Sequence, residues 1–139
     1  MASGGDFLIK IWDLSNGNCI NTFIAPIKNV YCLLKLCKNY LVNICREYIQ
    51  IWELSTGKCL RTFQAHQSTI NSLTKINKTK MISSSSDNKV KLWNLVTGQC
   101  IRTHSDFIGF IYCETKLNKR QLVIGYDNSL KIWDLLSSK

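Results

Sequence analysis

Three side chains of the types that act together in hydrolases stand close in the sequence: His66, Ser83 and Asp87. A histidine held by a carboxylate and bonded to a serine hydroxyl can activate that hydroxyl for nucleophilic attack. Such a site also needs an oxyanion hole beside a pocket. The sequence has no Gly-x-Ser-x-Gly, P-loop or His-Glu-x-x-His motif, and the only other histidine is His104. We therefore predict that this set is structural and that the chain is not an enzyme.

The seven cysteines are the other residues that could do chemistry. No Cys-x-x-Cys occurs and metal-ligand spacing is absent, so the sequence predicts neither a metal site nor a cofactor. Five of the cysteines hold two recurring positions of a repeat, namely Cys19, Cys59 and Cys100 at one and Cys32 and Cys113 at the other. Because cysteine packs as a small apolar side chain, we expect these five in the core.

The repeat is carried by four tryptophans that stand 40, 41 and 40 residues apart, Trp12, Trp52, Trp93 and Trp133. Its fullest copy is KVKLWNLVTGQCIRTH, residues 89–104. The residues around Trp93 alternate as in a β-strand, and Thr97-Gly98 then interrupts the run. Glycine supplies the positive φ of a tight hairpin turn. A period near 40 indicates an array of one supersecondary unit.

These copies resemble the WD-repeat (tryptophan–aspartate repeat) β-propeller family over essentially the whole chain. The resemblance rests on Trp12-Asp13 and Trp133-Asp134, on the variants Trp52-Glu53 and Trp93-Asn94, and on an aspartate six residues before the tryptophan at Asp6, Asp87 and Asp127. It implies an all-β fold, a partial β-propeller of four-stranded antiparallel blades.

The repeat divides a single expected domain, 1–139, into units of about 1–23, 24–63, 64–104 and 105–139. With the family's strand names a to d, two whole blades are expected, with strands at 29–36, 39–45, 48–54 and 58–63, and at 69–76, 80–85, 89–95 and 99–104. Two partial blades are expected, with strands c and d at 7–14 and 18–23, and strands a to c at 110–117, 121–126 and 129–135.

The resemblance also implies a buried hydrogen-bond relay within a blade. The family pattern maps completely onto one set, His66, Ser83, Asp87 and Trp93. Elsewhere it is degraded: Trp52 is expected to meet Arg46, Val42 and either Pro26 or Ala25. Trp133 keeps Asp127 but is expected to meet Val123.

Fewer than four complete blades would leave open sheet faces and unpaired edges, which invite pairing with another chain. Three explanations stay open: two chains associate to complete a ring, the chain completes the propeller of another protein, or it is a fragment of a longer chain. Of these, the homo-oligomer is favoured.

One end of each blade carries the b–c turns and d–a crossovers, where the family usually binds partners. The resemblance therefore implies a peptide or protein partner there, and aromatic side chains with arginine often anchor interfaces. The competing interpretation is that some of these rings pack between blades. The candidates are Asn29, Tyr31, Arg46, Thr69, Asn71, Ser86, Phe110, Tyr112 and Tyr126.

The opposite end concentrates positive charge in a chain of net charge +9. Eight basic residues lie in the a–b links without an acidic neighbour, Lys35, Lys38, Lys75, Lys78, Lys80, Lys116, Lys119 and Arg120. They form an alternative site for nucleic acid or anionic lipid. The competing interpretation is that they are solvated hairpin tips without a binding role. No aromatic residue is interleaved, so polyanion binding ranks below protein binding.

No apolar run approaches the roughly 18 residues of a membrane span, and the first residues, MASGGDF, lack a signal-peptide pattern. The expected location is the cytoplasm, with the nucleus as the alternative.

Overall fold

A computed structural model describes residues 1–27, 29–105, 107 and 109–135. None of these residues forms a helix that is long and apolar enough to cross a membrane. The chain divides into two compact units, residues 1–65 and 66–139. The single domain expected from the sequence therefore stays a prediction.

Unit 1 contains seven strands in two antiparallel sheets. The first sheet has the order β1-β2-β3 and the second the order β4-β5-β6-β7. The strands are β1 (Ala2–Gly4), β2 (Leu8–Trp12), β3 (Cys19–Ile24), β4 (Cys32–Lys35), β5 (Tyr40–Cys45), β6 (Tyr48–Glu53) and β7 (Lys58–Gln64).

Unit 2 also contains seven strands, in sheets of order β11-β10-β9-β8 and β12-β13-β14. Its strands are β8 (Ile70–Lys75), β9 (Lys80–Ser85), β10 (Val90–Asn94), β11 (Cys100–His104), β12 (Ile111–Lys116), β13 (Gln121–Tyr126) and β14 (Ser129–Asp134). Two four-stranded and two three-stranded sheets confirm the predicted fold class, two whole and two partial blades. The added strand β1 is the b strand of the first partial blade.

The c–d hairpins repeat one turn geometry. Gly17, Gly57 and Gly98 have φ of 73°, 68° and 75°, and their amides donate to the carbonyl oxygens of Asp13, Glu53 and Asn94 at 2.9, 2.9 and 2.8 Å. The Asp13 and Asn94 side chains each accept the main-chain amide two residues further on, at 2.8 and 2.9 Å. Asp and Asn make the same local turn bond, which explains why either follows the tryptophan.

The expected burial of the five recurring cysteines is wrong. Cys19, Cys100 and Cys113 are exposed and Cys32 and Cys59 are half-buried, while the non-recurring Cys45 is fully buried. Three of the five lie on the outer strands β3, β7 and β11, beside a β-bulge at the step from the preceding residue to Trp12, Trp52 or Trp93. There the Cys19, Cys59 and Cys100 thiols each approach the carbonyl oxygen two residues further on, at 3.3, 3.5 and 3.3 Å. The recurring cysteine position therefore marks the β-bulge and does not mark the core.

Each unit has its own apolar core. In unit 1 the Phe23 ring of β3 stacks on Trp52 of β6 with centroids 6.1 Å apart, within a cluster that includes Ile9, Val30 and Leu41. In unit 2 the cluster joins the sheet β8–β11 to the sheet β12–β14 through Ile82, Val90, Leu92, Phe107, Ile111, Leu122, Ile124 and Trp133.

Gly57→Ala is expected to destabilise unit 1 more than Gly17→Ala. Both glycines have positive φ, where a Cβ costs about 1–2 kcal/mol. A Cβ at Gly57 would also lie 2.7 Å from the Phe23 ring, whereas none of the described atoms lies within 4 Å of one at Gly17. Urea unfolding should show a lower midpoint for Gly57→Ala. Equal urea midpoints for the two variants would mean that the Phe23 ring moves aside without loss of stability.

Candidate functional site

The relay residues of unit 2 come from four neighbouring parts of the chain. His66 precedes β8, Ser83 lies on β9, Asp87 lies in the β9–β10 turn and Trp93 lies on β10. The structure brings all four together. Trp93 Nε1 donates to Ser83 Oγ at 2.8 Å, Ser83 Oγ lies 2.7 Å from His66 Nε2, and His66 Nδ1 lies 2.9 Å from Asp87 Oδ2.

Asp87 also holds the main chain on both sides of the relay. Its carboxylate accepts the Gln67 amide at 3.0 Å and the Lys89 amide at 3.1 Å. It therefore ties the segment before β8 to the turn between β9 and β10. Loss of this side chain would leave these two amides and His66 without their acceptor.

The hydrogen bonds of the relay fit a neutral His66. Because Trp93 donates to Ser83 Oγ, the hydroxyl proton is available for His66 Nε2, and Nδ1–H donates to Asp87. Burial lowers the pKa of His66, against the opposing charge of Asp87. Burial alone would raise the pKa of Asp87, but bonds from the Gln67 amide and His66 outweigh it and the pKa of Asp87 is lowered.

The relay is placed for structure and not for nucleophilic attack. Ser83 is 0% exposed and His66 1% exposed, and the Ser83 hydroxyl is engaged by both Trp93 and His66. A substrate carbonyl has no approach to this oxygen in the described structure. Buried polar groups bonded in this way avoid a desolvation cost of about 1–3 kcal/mol each.

The expected relay partners of two other tryptophans are wrong by one residue. Trp52 Nε1 donates to Asn43 Oδ1 at 2.6 Å, not to the Val42 position. In the last sheet the corresponding residue is Ile124, not Val123, because Ile124 pairs with Lys131 as Ser83 pairs with Lys91. The cause is a b–c turn one residue shorter in those sheets, which changes the offset from the tryptophan.

The sheet β4–β7 has its own buried polar chain, which sequence reasoning missed. Asn43 Nδ2 lies 3.0 Å from Cys45 Sγ, the thiol lies 3.5 Å from Gln50 Oε1, and Gln50 Nε2 lies 3.4 Å from Thr62 Oγ1. Burial raises the pKa of the Cys45 thiol to about 11. The available signal was two polar residues, Asn43 and Gln50, between apolar neighbours on facing strands.

The last sheet replaces the relay with aromatic packing. Phe107 stands four residues before Ile111, as His66 stands four before Ile70. Its ring contacts His104 and Tyr126 edge-on at 5.2 and 5.3 Å. His104 stacks on Trp133 with centroids 5.4 Å apart. With Ile124 at the serine position, Trp133 Nε1 is buried without an acceptor among the described residues.

The candidate binding residues at the b–c turns and d–a crossovers differ in exposure. In unit 1, Tyr31 is 59% exposed and Arg46 is exposed with φ of 56°, while Asn29 is half-buried with φ of 64°. In unit 2, Phe110 and Tyr112 are 57% and 59% exposed.

The remaining unit 2 candidates hold this end of the sheets in place. Asn71 Nδ2 donates to Ser86 Oγ at 3.1 Å and also bonds to the Ile111 carbonyl oxygen. Tyr126 is half-buried against Phe107, so packing uses part of its ring. Thr69 is exposed, and its carbonyl oxygen accepts the Ser86 amide at 2.9 Å.

Two basic residues of the a–b links are engaged in contacts within the chain. Arg120 bonds to Asp134 at 3.1 Å, and Lys116 Nζ donates to the Ile76 carbonyl oxygen at 2.9 Å. Asp134 lies on β14, so only strand pairing brings it to Arg120. The other basic residues are exposed, except half-buried Lys75: Lys35, Lys38, Lys78, Lys80 and Lys119.

Glu114 of β12 is a buried carboxyl group that sequence reasoning also missed. It is 6% exposed, and the Ser84 hydroxyl donates to its Oε2, while Oε1 has no acceptor or donor partner among the described residues. Burial raises the pKa of Glu114 to about 7, against the opposing effect of the Ser84, Ser72 and Thr74 hydroxyls. The sequence signal for this site was a charged residue at a position where other repeats have leucine. Leu33, Leu73 and Glu114 each pair with the residue at the relay serine position of their own sheet.

The chain is similar to known proteins in sequence and in fold. Residues 57–94, which include β8, β9 and all four relay residues, match the family described as WD40: WD domain, G-beta repeat. The computationally designed Ika4 protein is similar at 26% identity and a TM-score of 0.82, over 96% of this chain and 84% of its own. The designed Ika8 protein is similar at the same identity and TM-score, over 98% of this chain and 43% of its own. No curated protein matches significantly.

One segment of the chain therefore matches a WD repeat, and the chain has the all-β fold of the designed β-propeller proteins to which it is similar. WD40 repeats generally serve as non-catalytic scaffolds for protein interaction.

Proposed function

We propose that this chain binds a peptide or protein at the end of its sheets that carries the b–c turns and d–a crossovers. The supporting observation is the exposure of Phe110 and Tyr112 in unit 2, at 57% and 59%. Both stand at the start of β12, where the Asn71 bond to the Ile111 carbonyl oxygen fixes the backbone. Aromatic rings on a rigid backbone are favoured interface anchors because they bury large areas at little conformational cost.

Unit 1 offers a related feature at the equivalent strand position. Tyr31 precedes β4, and Tyr112 stands at the start of β12. Tyr31 is 59% exposed. The sequence from Asn29 to Leu36 contains no acidic residue. The exposed Arg46 in the β5–β6 turn adds a cation at the same end of its sheet. A partner that presents apolar and acidic side chains suits these residues.

Polyanion binding through the a–b links is the second candidate. It is supported by the exposure of Lys78, Lys80 and Lys119 in the links of unit 2. It is weakened by the Arg120–Asp134 pair and by the use of Lys116 in a main-chain contact. Its affinity would fall steeply as salt rises from about 50 to 200 mM, because phosphate contacts release counterions.

The test starts from peptides selected on the full chain from a random library. Phe110→Ala and Tyr112→Ala should each weaken the selected peptides about tenfold or more, the size of a hot-spot loss. Tyr40→Ala is the matched aromatic control, because Tyr40 is 38% exposed at the a–b end of its own sheet. Calorimetric titration at two salt concentrations measures both the change in affinity of each variant and the dependence of affinity on salt.

The opposite pattern would reject the proposal. If the two aromatic variants bind the selected peptides unchanged while Lys78→Glu with Lys80→Glu and Lys119→Glu removes binding, the basic links are the site. A circular dichroism melt of each variant separates loss of binding from loss of fold.

A further inference from the structure

The sheet β1–β3 contains three of the four elements of the relay. Trp12 Nε1 donates to Ser3 Oγ at 2.7 Å, as Trp93 donates to Ser83 at 2.8 Å. Asp6 stands six residues before Trp12, as Asp87 stands six before Trp93. The element without a counterpart is the histidine.

A lysine also repeats beside each tryptophan. Lys10 Nζ lies 5.7 Å from the centroid of the Trp12 ring, and Lys91 Nζ lies 5.6 Å from that of Trp93. The two strand pairs therefore present the same side chains on the same face. The register agrees, since Ser3 pairs with Lys10 as Ser83 pairs with Lys91.

A cavity of about 400 Å³ lies beside this incomplete relay. Its lining includes Ser3, Asp6, Leu8 and Lys10. In unit 2 the space between the equivalent serine and aspartate is filled by His66. Trp12 is correspondingly half-buried, whereas Trp93 is 4% exposed. The volume falls within the range of about 300–1,000 Å³ found for ligand pockets.

The edge of β1 is open on the side from which a histidine would come. Among the described residues β1 pairs only with β2, whereas the equivalent β9 pairs with both β10 and β8. In unit 2, His66 enters the relay from the segment that leads into β8. An open strand edge presents unpaired amide and carbonyl groups that can accept an added strand.

We infer that this cavity and the β1 edge together bind an extended, histidine-containing peptide segment. The imidazole enters between Ser3 and Asp6, donating from Nδ1 to the Asp6 carboxylate and accepting the Ser3 hydroxyl proton at Nε2. Ser3 Oγ keeps its bond from Trp12. The residues after the histidine pair with β1 as a fourth strand.

The pairing within unit 2 fixes the register of this segment. Leu73, seven residues after His66, lies opposite Ser83. The bound residue seven positions after the histidine therefore lies opposite Ser3. The site uses residues other than Phe110 and Tyr112, so it goes beyond the proposed function and does not depend on it.

The probe is a synthetic peptide with the sequence of residues 65–76, which carries a histidine and the β8 strand in this register. Its dissociation constant for the full chain is measured by calorimetry, with a second peptide that has alanine in place of the histidine. The alanine peptide should bind about tenfold or more weakly, as loss of buried hydrogen bonds requires.

Variants of the chain locate the imidazole. Ser3→Ala and Asp6→Asn should each weaken the histidine peptide while leaving the alanine peptide unchanged, since the coupling appears only when both partners are present. They are tested separately because the β1–β2 turn is one residue shorter than the β9–β10 turn. Asp13→Asn is the matched control, because Asp13 is outside the cavity lining.

Three results would overturn the inference. They are no binding of either peptide, equal affinity of the two peptides, and retained binding in both Ser3→Ala and Asp6→Asn. The last would mean that the peptide displaces the chain's own β8 in unit 2. Normal binding at the Phe110 and Tyr112 surface in the same variants would show that the proposed function stands even if this site fails.

Discussion

Asp87→Ala is expected to lower the free energy of unfolding by about 1–3 kcal/mol. The carboxylate accepts His66 Nδ1–H and the amides of Gln67 and Lys89. Removing it leaves these donors without an acceptor near a fully buried histidine, and their desolvation is then uncompensated. The measurement is urea unfolding followed by tryptophan fluorescence, with the slope checked to be unchanged.

Asp6→Ala is the matched control for this loss. Asp6 has the same distance in sequence from its tryptophan, but it is exposed and its side chain makes no hydrogen bond to another described residue. Exposed substitutions of this kind usually change stability by less than about 0.5 kcal/mol. Equal midpoints for the two variants would show that the relay adds no stability to unit 2.

Glu114→Gln is expected to stabilise the chain at pH 8, with much less effect at pH 5. Burial raises the pKa of Glu114 from 4.5 to about 7, so the folded chain keeps a proton that the unfolded chain loses above pH 4.5. The stability that this group contributes is present below pH 4.5 and is lost as the pH rises towards 7. Glutamine keeps the shape and stays neutral. The free energy of unfolding of Glu114→Gln, relative to that of the original chain, should rise by about 2–3 kcal/mol between pH 5 and pH 8.

Denaturant unfolding of both chains at several pH values measures this difference. Comparing the two chains at each pH removes the contribution of His66, whose lowered pKa acts in the opposite direction by reducing stability as the pH falls below 6.5. Glu53→Gln, whose carboxylate only meets the Thr56 hydroxyl in an exposed turn, is the matched control. A difference that does not change with pH would mean that Glu114 is ionised in the folded chain throughout.

Local patterns in the sequence predicted most of the fold. Alternation around each tryptophan and a glycine at each c–d turn are sufficient to place the strands, because strand formation and positive φ depend on neighbouring residues. The complete relay could also be named, since His66, Ser83, Asp87 and Trp93 stand at the spacing of the family that the chain resembles.

Residues that depend on strand register were predicted less well. A b–c turn shorter by one residue moves Asn43 and Ile124 into the serine position, where counting from the tryptophan had placed Val42 and Val123. One residue of slip changes which side chain faces the relay, since successive side chains point to opposite faces.

The sequence by itself determined the repeat, the order of the strands and the turns that join them, because these follow from local propensity and spacing. Only the tertiary structure decided which polar groups are buried and which charges meet. It buried Glu114, exposed Cys19 and paired Arg120 with Asp134. The physical reason is that burial depends on which sheet face another sheet covers, and charge pairing depends on residues that only strand pairing brings together.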